Sequence, residues 1–156
     1  MKVRLLVVSH RPPSWVAEGA TEYERRLPRE WKFELVELKP GARTAGQPAA
    51  KVQADEAVRL RAALPKGACL VALDERGEGW STAQLAERLR RWQQQGRDLA
   101  FVVGGADGLD PELVRSADQR WSLSALTLPH GLVRVVVVEQ LYRAASLLAG
   151  HPYHRP

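Results

Sequence analysis

The chain contains one cysteine, Cys69, and one methionine among its 156 residues. A lone cysteine excludes an internal disulfide framework and points to a reducing cytoplasm. Its place inside the apolar run ACLVALD makes it a buried, inert thiol. Long hydrophobic runs are also missing. Stretches such as Val135–Val138 fall far short of the roughly 20 residues a membrane span needs, which excludes a spanning helix. The start, MKVRLLVVSHRPP, has only Leu5–Val8 as an apolar core and no small-residue cleavage site. It reads as a first β-strand and not as a signal peptide. Lysine is scarce, with five against 18 arginines. Arginine's planar fork suits phosphate, guanine and carboxylate, so the net charge of +5 permits a nucleic-acid partner without demonstrating one.

What remains is an ordinary globular composition, 45% hydrophobic and 26% charged, of a length that fits one domain over residues 1–156. Apolar runs alternate with helix-like segments. Strands are expected at Val3–Ser9, within WKFELVELK, at ACLVALD, at Leu99–Gly105 and within DQRWSLSALTL. Helices are expected from Trp15 to about Leu27 with Ser14 as cap, and over Ala49–Leu64. Another should run from a Ser81/Gln84 capping box to about Gln94, with Gly96 as its stop. Asp110 and Pro111 should open a short helix. Pro40–Pro48 and Glu75–Trp80 read as loops. In LVRVVVVEQLYRAASLLAG the valines favour a strand, yet nothing breaks the chain before Gly150. One long helix, Leu132–Ala149, is expected, with Leu132, Val135, Val136, Glu139, Tyr142, Arg143 and Ser146 along one stripe. Strands separated by helices imply an α/β sandwich with a mostly parallel sheet.

In such sheets ligands bind at the carboxyl ends of the strands. Three ends stand out: Leu73–Asp74, VGGADGLD, and SLSALTLPHG. The Gly104–Gly105 pair lets a ligand approach bare backbone, although two glycines at a strand end can equally make a plain turn. The pattern is neither G-x-G-x-x-G nor a phosphate-binding P-loop. Ser122, Ser124 and Thr127 beside Leu123, Leu126 and Leu128 suit a purine ring with an aliphatic tail, or simply a strand running into a Pro–His turn. His130, His151 and His154 lack a structural zinc spacing, so no metal is expected. The sequence ends in HPYHRP, two imidazoles, a phenol and a guanidinium within five residues. That is either a polar tail or chemistry delivered by the tail.

The segments VVGGADGL, WSLSALTLPH, LVRVVVVEQLYRA and HPYHR, together with PSWV, TEYERR and FELVEL, resemble a known family end to end. The chain is similar to the small SPOUT-class methyltransferases of the bacterial ribosomal RNA large subunit methyltransferase H family. The resemblance implies a SPOUT-type α/β sandwich with a C-terminal trefoil knot, a homodimer, and S-adenosylmethionine as cofactor. It implies methylation of N3 of a pseudouridine in 23S ribosomal RNA on the assembled ribosome. Cofactor contacts are then expected from Leu73, Asp74, Gly104, Gly105, Leu123, Ser124, Ala125, Leu126, Thr127, Leu128 and Pro129. Tyr153, His154 and Arg155 are expected to complete the RNA-facing side of the site, with the tail serving the partner subunit. Glu139 and Arg143 are expected among the catalytic residues as well, on the stripe of the long helix that, with Tyr142, is the expected dimer face. The rivals are a non-catalytic RNA-binding module of the same fold and a transfer RNA methyltransferase.

Overall fold

Leu5, Leu6, Val7 and Val8 are all fully buried, although successive strand residues point to opposite faces. Both faces of this strand must therefore be covered, as helices on either side of a parallel sheet cover them. The computed structural model describes residues 1–44 and 46–154, with His154 described by its backbone alone, and it has that architecture. In chain order the elements are β1 (Val3–Val8), α1 (Ser14–Glu24), β2 (Glu34–Leu38), α2 (Ala49–Ala63) and β3 (Cys69–Gly79). They continue with α3 (Thr82–Gln95), β4 (Leu99–Val103), α4 (Pro111–Ser116), β5 (Gln119–Ser122) and α5 (His130–Ala149). Short 3-10 turns occupy Arg29–Trp31 and Pro152–His154.

The strands form one sheet in the order β2-β1-β4-β3-β5, and every pairing is parallel. One face, with Leu5, Val7 and Phe101, packs against Leu85 and Leu89 of α3 and Val137 and Leu141 of α5. The other, with Leu6, Val8 and Val102, packs against Ala57 and Leu60 of α2 and Leu113 of α4. Crossovers toward β2 run over the first face and those toward β5 over the second, so all four share one hand. As a result β4 leaves the sheet on the opposite face from both its neighbours. Crevices therefore open on both sides of its carboxyl end.

Local sequence explains most helix ends. Gln84 N donates to Ser81 Oγ at 3.1 Å and Ser81 N to Gln84 Oε1 at 2.8 Å, completing the expected box. Asp110 caps α4 through Leu113 N at 3.3 Å, and Gly150 closes α5 at φ 72°. Against expectation β1 ends at Val8, α2 at Ala63 and β4 at Val103; three further boundaries differ for a local reason. Ser14 is the first residue of α1 rather than its cap, because Pro13 holds the cap position with φ −55°. That helix stops at Glu24, where Arg26 N and Leu27 N turn to the 3-10 bonds Tyr23 O and Glu24 O. And α5 starts two residues early, at His130, because Pro129 already sits at its cap with φ −58°.

The Glu75–Trp80 segment is also not a loop. β3 continues to Gly79 past a bulge: both Leu73 and Glu78 lie opposite Trp121, so the four residues between them swing outward. Gly77 permits this, since a Cβ there would stand 2.7 Å from the backbone of Arg120 and Trp121. In α5, packing decides the conformation of the valine run. Each valine costs about 0.5 kcal/mol in helix propensity, whereas full burial of Val137 and Val138 contributes about 1.5–3 kcal/mol each. The expected stripe on α5 is only partly an open face. Val135 packs at Gly19 of α1 and Ser146 is buried, which leaves Leu132, Val136, Glu139, Tyr142 and Arg143 half-buried, with Glu139 the more covered of the Glu139–Arg143 pair. Among the described residues no helix is long and apolar enough to cross a membrane.

Candidate active site

At the carboxyl ends of β3, β4 and β5 the sheet opens into a cleft of about 970 Å³, large enough for a cofactor-sized molecule. Leu73, Asp74, Gly104, Gly105, Leu123, Ser124, Leu126, Thr127 and Leu128 all line it. Ala125 and Pro129 do not, although they belong to the same loop. The β3 bulge adds Glu75 and Arg76 to the rim, beside the Asp107 and Arg115 side chains supplied by other segments.

The β4 end is held by close backbone packing. A Cβ on Gly104 would lie 2.5 Å from the carbonyl carbon of Gly108, so only glycine fits. The chain then turns back through a Gly108 N to Gly105 O hydrogen bond of 3.0 Å, with Gly108 at φ 78°. His130, the first residue of α5, places its Nε2 at 2.7 Å from Gly104 O. A carbonyl only accepts, so this nitrogen carries the proton. The β5 wall is aromatic: Trp121 stacks on Trp80 at 5.0 Å and 12°, and the Arg88 guanidinium lies 4.2 Å from the Trp80 ring centre. Beyond it the Ser122–Pro129 loop is braced internally, Ser122 Oγ donating to Ser124 O and Leu126 N to Ser124 Oγ. The Leu126 side chain is 76% exposed, an apolar group at the mouth with nothing over it.

The remaining wall comes from α2 and the loop before it. Gln53 Nε2 donates to Asp107 O at 2.6 Å and Arg43 pairs with the Asp107 carboxylate at 2.7 Å. Beneath them the buried Glu56 accepts from Gly41 N at 2.9 Å. Gln53, Trp121 and His130 line the cleft without having been singled out for it from the sequence. Only the Pro129–His130 pair within SLSALTLPHG carried a signal, since a histidine just inside a helix start has its ring close to the preceding loop.

The tail groups gather elsewhere. Tyr153 Oη donates to Glu139 Oε1 at 2.9 Å, its ring lies 4.4 Å from that of Tyr142, and the Arg143 guanidinium sits 4.8 Å over it. Arg143 also pairs with Glu139 at 2.7 Å. Burial first, and then the hydrogen bond to the Glu139 carboxylate, push the Tyr153 phenol up. Glu139 and Tyr142 stand nine and twelve residues beyond His130 on α5. That is about 14 and 18 Å along the axis at 1.5 Å per residue. The tail is thus assembled on the helix that leaves the cleft, well away from the cleft of its own chain. The His154 side chain and Arg155 lie outside the described residues.

A family model described as "Predicted SPOUT methyltransferase" matches residues 1–154. The chain belongs to the SPOUT methyltransferase family. Two relatives, from Burkholderia lata and Burkholderia cenocepacia, each carry the name "Ribosomal RNA large subunit methyltransferase H". Each is 57% identical to this SPOUT methyltransferase over 99% of both chains. The solved structure of a probable methylase family protein from Haemophilus influenzae superposes with a TM-score of 0.63. It covers 99% of this chain and 70% of the other at 13% identity, a likeness of fold alone.

The cleft of this SPOUT methyltransferase suits a methyl donor made of a purine, a ribose and an amino acid. Leu73, Val103, Trp121 and Leu128 provide apolar walls, Ser122, Ser124 and Thr127 hydroxyls, and Asp74 and Asp107 carboxylates for hydroxyl or ammonium groups. Gly104 and Gly105 leave the β4 end as bare backbone between them.

Proposed function

We propose that this SPOUT methyltransferase transfers a methyl group from S-adenosylmethionine to N3 of a pseudouridine in 23S ribosomal RNA. It acts on the assembled ribosome, in the cytoplasm, as a homodimer of single-domain chains whose C-terminal part is knotted. The observation that carries this reading is the cleft itself: three strand ends far apart in sequence converge on it with the functional groups such a donor requires. The full-length likeness to large-subunit ribosomal RNA methyltransferases supports the choice of RNA.

When bound, S-adenosylmethionine supplies an electrophilic methyl on a sulfonium. The protein must then align the acceptor nitrogen in line with that methyl and favour loss of its proton. In this reading the Leu73–Asp74, Gly104–Gly105 and Leu123–Pro129 segments hold and orient the donor. Tyr153, His154 and Arg155 of a second copy close the RNA-facing side, with Arg155 on phosphate or base and His154 receiving the proton. Glu139 and Arg143 hold Tyr153 on the α5 surface, so the half-buried Leu132, Val136, Glu139 and Arg143 face is the natural seat for that copy. The docking of Tyr153 at the middle of α5 favours delivery in trans, since its own cleft lies at the start of that helix.

Calorimetry with S-adenosylmethionine, followed by tritiated methyl transfer to intact ribosomes, free ribosomal RNA and transfer RNA, tests the reading. It requires donor binding and incorporation into ribosomes. No binding by the dimer would favour the non-catalytic module, and transfer to transfer RNA alone would favour the rival substrate.

A further inference from the structure

Among the described residues His130 is the one histidine that lines the cleft, and none of the roles above uses it. Its Nε2 lies 2.7 Å from the carbonyl oxygen of Gly104, 26 residues earlier in the chain. That distance is within the range of a good hydrogen bond. The bond joins two walls of the cleft directly, where the sheet ties them only through β3. On one side is the last residue of the β4 end, whose α-carbon is already wedged against Gly108. On the other is the first turn of α5, which fixes where the Ser122–Pro129 loop ends.

From this geometry we infer that His130 is a positioning residue for the methyl-donor cleft: by donating from Nε2 to Gly104 O it sets the separation of the β4 wall and the Ser122–Pro129 loop. The inference rests on the reading of the cleft as the donor site and adds a residue to it. Two features argue for a positioning role over a merely structural one. His130 is half-buried at the cleft and not in the core, so its packing contribution is small beside that of Val137, Val138 or Leu141. Its partner is a carbonyl on a segment that the Gly108 turn makes rigid, so loss of the donor frees the loop rather than the sheet. A second anchor, Gln53 Nε2 to Asp107 O, holds the far side of the same turn, which leaves the His130 bond as the clamp on the loop side.

The test compares two substitutions of closely similar volume. In His130→Gln the amide nitrogen replaces the Nε2 donor; His130→Met has no donor at all. Affinity for S-adenosylmethionine and S-adenosylhomocysteine is measured by calorimetry, with KM for the donor and kcat on ribosomes. Amide hydrogen exchange of residues 104–109 and 122–130 is followed in the ligand-free protein. His130→Met should bind the donor at least tenfold more weakly and raise its KM in step. It should change kcat at saturating donor by less than about threefold and exchange faster in both segments. His130→Gln should stay within about threefold of the parent throughout. Equal behaviour of the two variants, whether both weak or both like the parent, overturns the inference. So does an unchanged exchange pattern in His130→Met. If the parent protein itself fails to bind the donor, the reading of the cleft falls, and the exchange comparison alone then decides whether His130 clamps the loop.

Discussion

The Tyr153 hydroxyl donates to the Glu139 carboxylate at 2.9 Å, so the last turn of the described chain is fastened to the middle of α5 by a phenol–carboxylate bond. Burial and that carboxylate favour the protonated phenol. The folded state holds this proton more tightly than the unfolded chain, so the docking is complete below the ordinary phenol value of about 10 and is lost as pH rises beyond it. Ultraviolet titration should show a phenol ionisation step above the ordinary range, and Tyr153→Phe should remove that step. A titration curve whose high-pH limb is the same in the parent and in Tyr153→Phe would contradict the docking.

Gly104 is the least replaceable residue of the cleft. In Gly104→Ala the new Cβ meets Gly108 backbone at 2.5 Å, and neither partner is a flexible side chain. Overpacking of this kind costs about 1–3 kcal/mol, or a Tm fall of roughly 2–12 °C for a chain of this size. Donor binding should be lost as well. Gly79→Ala is the control: a Cβ there meets nothing within 4 Å, and its stability should change by no more than about 0.5 kcal/mol. Thermal melts of the two variants, with calorimetry on S-adenosylmethionine, check both statements.

Removal of the Ser81 cap should separate stability from chemistry. Ser81→Ala loses the bond from Gln84 N and should destabilise the fold by about 1 kcal/mol. Donor affinity should be unchanged, because Ser81 does not line the cleft. Denaturant unfolding and calorimetry on the same preparation read the two effects.

Cys69 should be silent in the native protein. Burial first, and then the nearby Asp118 carboxylate, push its thiol up to about 11. A thiol raised in this way stabilises the fold below its unfolded value of about 8.5, and that contribution falls as pH rises past it. At pH 8 an aromatic disulfide reagent should release no thiol equivalents from the folded protein and one per chain in guanidinium. Rapid native reaction would mean that β3 is not packed as described.

Much of this was legible in the residues, and the exceptions share a cause. Buried parallel strands announce themselves as apolar runs, and caps such as Ser81–Gln84 and Asp110–Pro111 are local, so strand order aside the α/β sandwich follows from pattern. The β3 bulge was not legible, because it depends on Gly77 meeting the backbone of Arg120 and Trp121, a contact across 43 residues. Three strand ends were recognisable as ligand-facing from their residues, but their convergence needs the order β2-β1-β4-β3-β5. Likewise the clamp from His130 to Gly104 and the bracing of Asp107 by Gln53 and Arg43 are tertiary relationships with no local signature. The tail's excess of functional groups was plain in HPYHR. That Glu139, Tyr142 and Arg143 share a stripe was legible too, but the attachment of the tail to them depends on the Pro152–His154 turn folding back onto α5.

The proposed function joins the cleft, as the holder of the methyl donor, to the tail, as the part that completes the site on ribosomal RNA. Mass-spectrometric mapping of 23S ribosomal RNA from cells lacking this protein, complemented with the full chain or with residues 153–156 deleted, tests it most directly. The account predicts a single N3-methylated pseudouridine that disappears without the protein and returns with the full chain. It predicts no return with the truncated chain, although that chain folds and binds S-adenosylmethionine. An unaltered methylation map in the deletion strain, or full restoration by the truncated chain, would contradict it.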